Sequence, residues 1–254
     1  MCGRYYRRSD KQRIAEAFKV GKLPSGFELA PDYNIAPDTF QPVIRPDFET
    51  GDRELVSMRW GMVPWFAKTE DEFKELSTIN AKASRLQESN MWREPFKRRR
   101  CLVPADWFYE WPVVNGEKQA RAFALKDGSP FAFAGIWDRW KDKDTNEILE
   151  SFAIVTVEPS EWMAKYHDRM GVILKPKDYQ RWLEEGEEHT LPLDLLRPYP
   201  EEEMQSWRVS DQVGNTRNNW AELIEPIPEE TPKREKKAKH AKPKKELPPK
   251  GLFD

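Results

Sequence analysis

The chain has 254 residues, of which 38% are hydrophobic, including 11 Trp and 13 Phe, so it can hold one large domain or two small ones. It contains no run of about 18 apolar residues and opens on a charged segment, so neither a membrane-spanning helix nor a signal peptide is expected. Two cysteines and three histidines make neither a disulfide framework nor a cluster at zinc-ligand spacing. We therefore expect no metal or cofactor, no membrane contact, and a reducing, cytoplasmic location.

Charge is distributed unevenly along the chain. The net charge is −2, but residues 229–254 hold nine Lys and Arg against five Asp and Glu, which leaves −6 on the rest. A negative domain is not an obvious nucleic-acid binder. However, acidic runs lie at 184–188 and 201–203 of the sequence, whereas basic residues stand elsewhere in it, at Arg4, Arg7, Arg8, Lys82, Arg85, Arg93 and 97–100. A local basic face can bind phosphate despite a negative total.

Hydrophobic periodicity predicts more strands than helices. The segment 10–19 is typical of an amphipathic helix with Ile14, Ala15 and Phe18 turned inward. A loop leading into a strand is predicted at 31–46, and a hairpin turn at Asn115 and Gly116. Further helices are predicted at 84–97, 159–166 and 176–184, and strands at 53–60, 99–111, 121–126, 130–140 and 151–157.

The strands do not alternate with helices in a βαβ rhythm. We therefore predict an α+β fold in which a curled mixed or antiparallel sheet carries peripheral helices. The last residues, 229–254, are rich in Lys, Pro and Glu, a composition that predicts a disordered tail. Leu252 and Phe253 near its end are either a terminus without function or a short peptide that docks on a partner such as a replication sliding clamp.

Cys2 is the residue with the most distinctive chemistry. Its side chain is small, so we expect Met1 to be removed, leaving an amine and a thiol on adjacent carbons. Such a 1,2-aminothiol condenses with an aldehyde to an imine, and the thiol then closes a thiazolidine ring. The α-amine titrates near pH ~7.7–8.0 and the thiol near ~8.5, so both are partly nucleophilic at physiological pH. The alternative is an inert residue at a tolerant position.

Six short blocks occur in an order that points to one family. They are MCGRY at 1–5, YNIAP at 33–37, WGMVPW at 60–65, INAKA at 79–83, RCLVPADWFYEW at 100–111 and HDRM at 167–170. Together they closely resemble the SRAP (SOS-response-associated peptidase) family of abasic-site processing proteins, over roughly residues 2–227. The resemblance implies a single SRAP-like pseudo-barrel domain at 2–228, followed by the tail 229–254.

The resemblance also implies a function. Family members cover abasic sites in single-stranded DNA and link to them covalently through the N-terminal cysteine. The open-chain sugar of an abasic site exposes the aldehyde that an aminothiol traps. The chemistry expected of Cys2 and the family's activity therefore agree, and they predict single-stranded DNA with abasic sites as the partner of a monomeric protein. The location would be the nucleoid in a bacterium or archaeon and the nucleus in a eukaryote.

Residue roles follow from matching positions. Cys2 is expected to be the nucleophile, and Asn80 matches the family's Asn, whose carboxamide can orient the terminal amine. Glu110 lies between Trp107 and Trp111; burial there would raise its pKa and suit it to proton transfer. His167 matches the family's His, a second acid or base. Without the family match, an Asn is more often a turn or cap residue, a Glu more often faces solvent, and a His more often forms a structural hydrogen bond.

The predicted DNA contacts are basic, polar and aromatic. Arg4 and Arg169 adjoin the reactive groups in sequence, and Lys82 stands where many members have Arg, so Arg85 is a second candidate for the same phosphate. Thr156 and Ser210 are weaker phosphate candidates. Trp65 and Phe66 either stack on a base beside the lesion or belong to the core. Cys101 is predicted to be a small buried residue without a chemical role.

Three alternatives stay open. Cys2, His167 and Glu110 could form a thiol autopeptidase, although only Met1 precedes Cys2 as a substrate. A non-covalent reader of single-stranded or modified DNA would bind with steep salt dependence and would not need Cys2. A scaffold recruited through Phe253 would lose all activity when residues 229–254 are deleted.

Overall fold

A computed structural model describes residues 3–229 except 25, 27, 74, 75 and 187. Cys2 and the segment 230–254 lie outside the described residues. Within them are three α-helices: α1 (Lys11–Phe18), α2 (Arg93–Arg98) and α3 (Tyr179–Leu183). The strands are β1 (Tyr5–Arg7), β2 (Asp32–Ile35), β3 (Phe40–Pro46), β4 (Arg53–Trp60), β5 (Asn80–Lys82), β6 (Arg100–Ala105), β7 (Trp107–Glu110), β8 (Val113–Val114), β9 (Glu117–Lys118), β10 (Arg121–Leu125), β11 (Phe131–Lys141), β12 (Ile148–Val157), β13 (Met170–Gly171), β14 (Ile173–Leu174) and β15 (Met204–Arg208).

Five strands close into a mixed barrel in the order β12–β4–β3–β6–β11, because β11 pairs back onto β12. β4 and β12 run parallel, and the other neighbours in the ring are antiparallel. β5 also pairs with β12 in parallel, at Ile154–Thr156, just past Ser151 and Phe152 where β4 pairs. The chain thus leaves the edge of β12 at Trp60 and returns to it at Asn80.

A second, antiparallel sheet has the order β15–β10–β7–β1–β2. Buried side chains on the two faces of the barrel sheet form two separate cores. One face packs against Tyr5, Phe108 and Phe123 of the second sheet. The other is covered by the helices through Phe18, Phe96 and Trp182. The predicted α+β pseudo-barrel with peripheral helices is confirmed.

The predicted strand 99–111 is divided at Asp106, so that β6 belongs to the barrel and β7 to the second sheet. The Asp106 carboxylate accepts hydrogen bonds from the backbone N–H of Arg8 at 2.8 Å and of Ser9 at 2.9 Å, and from the Ser9 hydroxyl at 2.8 Å. These bonds fix the point where the chain crosses between the two sheets.

Two predicted helices are largely wrong. Of 84–97, only residues 93–97 lie in an α-helix, at the start of α2, and Ala83–Arg85 forms a 3-10 turn. Pro95 lies in the first turn of α2, where its missing N–H costs no intrahelical bond, whereas a helix running from residue 84 would place it in the interior. Of 159–166, only Met163–Lys165 forms a short 3-10 turn. The N–H groups of Trp162 and Met163 donate to the side chains of Glu201 and Ser160 instead of to helical carbonyls. The segment 176–184 becomes a 3-10 turn, Pro176–Asp178, followed by α3.

Other predictions are confirmed. α1 buries Ile14 and Phe18, while Ala15 is half-buried. Asn115 and Gly116 have φ values of 53° and 79° and join β8 to β9, as a tight hairpin requires. Cys101 is fully buried, and burial raises the pKa of its thiol. In the part of the chain described here, no helix is long and apolar enough to cross a membrane.

Candidate active site

Glu110 ends β7, and its side chain is buried, with 4% of the residue exposed. Burial raises the pKa of this carboxyl from its ordinary value of 4.5 to about 8; the negative charge of Asp168 acts in the same direction, while Arg169 opposes it. Glu110 is therefore mostly protonated at pH 7. A neutral carboxylic acid can donate a proton to a reacting oxygen and later take one back.

His167 faces this carboxyl. Its Nε2 lies 4.0 Å from Glu110 Oε2, longer than a direct hydrogen bond, which leaves the two groups able to contact one reacting atom from two sides. Its Nδ1 accepts the backbone N–H of Arg169 at 3.0 Å and also lies 2.7 Å from the Asp168 carboxylate. Burial lowers the pKa of His167, which favours the neutral form of the ring.

The described start of the chain runs beside Glu110. β1 pairs with β7 with Tyr5 opposite Phe108, and the Tyr109 N–H donates to the Arg4 carbonyl at 3.0 Å. Continuing this register by two residues sets Gly3 opposite Glu110.

Asn80 opens β5 and is 7% exposed, opposite Ile154 of β12. The residue before it is fixed from two sides: the Ile79 carbonyl accepts the N–H of Ile154 and the indole N–H of Trp60, each at 3.0 Å. Because these bonds fix the backbone of Ile79 where the chain rejoins β12, they also fix the position of Asn80.

Three of the predicted DNA contacts line one groove of about 270 Å³, the Thr156 groove: Lys82, Thr156 and Arg169. Lys82 and Arg169 form no ion pair with any described side chain. The Thr156 hydroxyl is buried and has no hydrogen-bond partner within the described ranges. Arg85 is exposed on the adjoining 3-10 turn Ala83–Arg85. Two cations on a concave surface are what a phosphate site needs, although the carboxylate of Glu158 also lines this groove.

Trp65 and Phe66 form an exposed aromatic pair. They are 60% and 39% exposed, and their rings meet edge to face at 5.8 Å. The core alternative for these two residues is therefore wrong. Exposed aromatic faces of this kind are what single-stranded bases stack on.

The loop that carries this pair is held by residues that sequence reasoning missed. Asp138 Oδ2 accepts the Trp65 N–H at 3.0 Å, the Ser151 hydroxyl accepts the Val63 N–H at 2.8 Å, and the Trp140 indole donates to the Ala67 carbonyl at 2.9 Å. Asp138 is buried beside the Arg99 guanidinium at 3.1 Å, and burial raises the pKa of its carboxyl. A carboxylate inside the apolar run FAFAGIWDRW was the available signal.

Arg4 and Ser210 have structural partners. Arg4 Nη1 donates to Asn34 Oδ1 at 2.7 Å and to the Val213 carbonyl at 3.0 Å. The Ser210 hydroxyl accepts the Gln212 N–H at 3.3 Å at the start of the 3-10 turn Asp211–Gly214. The DNA contacts of both remain predictions. Among the described residues, no three or more His, Cys, Asp or Glu side chains cluster as metal ligands would.

Comparison with a solved structure agrees with the fold. A solved structure from Bacteroides thetaiotaomicron superposes with a TM-score of 0.80 at 23% identity, covering 89% of this chain and 100% of that one. It establishes the fold alone.

Curated relatives extend the likeness to sequence. The abasic site processing protein YoqW of Bacillus subtilis is 36% identical over 230 residues, 89% of this chain and 99% of that protein. The abasic site processing protein HMCES of Xenopus tropicalis is 32% identical over 224 residues, 78% of this chain and 66% of that protein. A family model described as SOS response associated peptidase (SRAP) matches residues 1–216. The chain therefore belongs to the SRAP family.

Proposed function

We propose that this protein traps abasic sites in single-stranded DNA by forming a thiazolidine through Cys2, exposed by removal of Met1, and so shields the lesion during the DNA damage response. The observation that carries the proposal is the pairing of a buried, largely protonated Glu110 with a neutral His167, 4.0 Å apart, beside the described start of the chain. The names of the relatives support the substrate class.

The reaction balances without a cofactor. The Cys2 amine adds to the C1′ aldehyde of the open sugar, and the resulting carbinolamine loses water to give an imine. The Cys2 thiol then adds to the imine carbon and its proton passes to nitrogen, closing the ring. One C–N bond and one C–S bond form, and one water leaves, so no oxidant or reductant is needed.

Glu110 supplies the proton that this sequence requires. As a neutral acid it protonates the ring oxygen when the closed sugar opens, and the carboxylate left behind takes the proton of the C1′ hydroxyl, which restores the acid. The acid then protonates the carbinolamine hydroxyl that leaves as water. The carboxylate so formed takes back a proton from the attacking amine or thiol. His167 acts on the opposite side, through Nε2, on the oxygen that develops charge. Asn80 orients the terminal amine for attack.

The DNA strand lies across the Thr156 groove in this proposal. Lys82 and Arg169 bind phosphate with Arg85 beside them, and Thr156 donates its hydroxyl. Trp65 and Phe66 stack on a neighbouring base. Phosphate contacts position the strand, whereas the aldehyde chemistry selects the lesion, so no base sequence is read.

A denaturing gel tests the proposal. The purified protein is mixed with single-stranded DNA carrying one abasic site, after intact mass has verified that Met1 is absent. We expect a band that survives boiling in detergent for the parent and not for Cys2→Ala. Glu110→Gln should form the same band roughly 10²–10⁴ times more slowly, the usual contribution of a general acid or base.

Glu117→Gln is the matched control, because Glu117 is exposed in the β8–β9 hairpin and should leave the rate unchanged. A parent with Met1 removed and no band would refute covalent trapping, and attention would move to non-covalent DNA binding and then to peptidase activity. The predicted clamp contact through Leu252 and Phe253, and the monomeric state, remain predictions.

A further inference from the structure

A second groove adjoins the Thr156 groove. It encloses about 300 Å³ and has an apolar floor that includes Ile173, Leu195 and Tyr199; we name it the Tyr199 groove. Pro198 lines both grooves, so they share a wall. The two grooves are therefore neighbours on this face.

The rim of the Tyr199 groove is mainly basic. Lys177 and Arg197 are exposed, and neither forms an ion pair with another side chain in the described part of the chain. Lys175 is instead held by Glu203 at 2.6 Å and lies over the Tyr199 ring. Asp178 is the acidic residue in the lining. Two cations are therefore available to a ligand.

We propose that the Tyr199 groove binds the DNA strand that continues beyond the abasic site, with Lys177 and Arg197 on its phosphates and a base against the apolar floor. This inference rests on the proposed function and extends it to a subsite for undamaged nucleotides. An apolar floor beneath separated cations suits a nucleotide, which has an apolar base face and a charged backbone.

The position of the groove favours a nucleic acid strand over other anionic ligands. His167 faces Glu110, and Arg169, two residues further on, lines the Thr156 groove. β13 and β14 then lead directly to Ile173 and Lys175 of the Tyr199 groove. A strand that leaves the reactive centre past Arg169 reaches Pro198, which also lines the Tyr199 groove.

The test uses the full chain with Cys2→Ala, so that only non-covalent binding is measured, and a single-stranded oligonucleotide with one central abasic site. Lys177→Ala with Arg197→Ala removes two phosphate contacts. Each contact to a single strand contributes about 0.7 to the slope of log affinity against log salt, so the slope should fall by about 1.4. At roughly 0.1 M salt this corresponds to binding about 25-fold weaker.

Lys141→Ala with Lys143→Ala is the matched control. Both lysines are exposed, form no ion pair with the described residues, and lie at the far end of β11 from Phe133, which pairs with Ile173. Shortening the oligonucleotide to one nucleotide on one side of the lesion should weaken binding of the control but not of the Lys177 and Arg197 variant.

The outcomes separate the two proposals. An unchanged slope and affinity in the Lys177 and Arg197 variant, relative to the control pair, would overturn the subsite even if the parent crosslinks normally. A reduced slope with no crosslink in the parent would support the subsite while the thiazolidine chemistry fails.

Discussion

Replacing Glu110 with glutamine is expected to stabilise the protein at neutral pH. Burial holds the pKa of this carboxyl at about 8, compared with an ordinary value of 4.5. Between these two values the unfolded chain has lost the proton while the folded protein keeps it. The contribution of the acid to stability is thus complete below pH 4.5 and declines as the pH rises through 8. An amide does not titrate and avoids this loss.

The size of the stability gain follows from the difference between the folded and unfolded pKa values of Glu110. Each pKa unit corresponds to about 1.4 kcal/mol, so at pH 7 the carboxyl costs the fold about 3 kcal/mol relative to its neutral form. At pH 5 the cost is below about 1 kcal/mol. Glu110→Gln should therefore gain roughly 2–3 kcal/mol over the parent between pH 5 and pH 7.

Urea unfolding at pH 5, 6 and 7 measures this difference, with Glu117→Gln as the exposed control. An advantage of Glu110→Gln that grows with pH, absent from the control, would agree with a protonated acid in the fold. If Glu110→Gln is less stable than the parent at pH 7, or the difference is the same at all three pH values, Glu110 is ionised in the folded protein. The proposed role as a proton donor would then fail.

Three further predictions concern single sites. Trp65→Ala should weaken single-stranded DNA binding by about 1–3 kcal/mol in a titration, with unfolding shifted by less than about 0.5 kcal/mol, because the residue is 60% exposed; a large loss of stability would place Trp65 in the core instead. Gly135→Ala should destabilise by about 1–3 kcal/mol in urea, since a Cβ there would lie 2.7 Å from Cys101 Sγ, whereas Gly214→Ala meets nothing within 4 Å and should be nearly neutral. Asp106→Ala removes three hydrogen bonds to a carboxylate and should cost more than about 3 kcal/mol in the same assay; a neutral effect would show that the sheet crossing does not depend on it.

Local patterns predicted the elements whose determinants are local. β4 matches its predicted range of 53–60, and the Asn115-Gly116 turn joins β8 to β9, because alternation and positive φ are properties of adjacent residues. Helix predictions failed where short-range signals conflicted, as at Pro95. The division at Asp106 was not predictable, because its partners, Arg8 and Ser9, are almost a hundred positions away.

In the candidate site too, contacts between residues far apart in the sequence were not predictable from local patterns. Family motifs placed Glu110 and His167, and the structure brings them within 4.0 Å of each other. The position of Asp138 inside an apolar run indicated a buried acid, but not that it holds the loop of Trp65, since that bond joins residues 73 positions apart. Lys177 and Arg197 carry no motif and become neighbours only through the folding of the chain around Pro198.

The interrupted edge of β12 has a consequence for how this protein can diversify. β4 ends at Trp60, paired with Phe152, and β5 begins at Asn80, paired with Ile154. Both ends of the excursion at 61–79 are therefore fixed by pairing with nearby residues of β12. Closing a loop between fixed ends costs only about 0.6 kcal/mol for each doubling of its length. Insertions and deletions in this excursion therefore change the surface offered to a ligand while leaving the barrel and the position of Asn80 intact. Natural length variation in this protein should concentrate there.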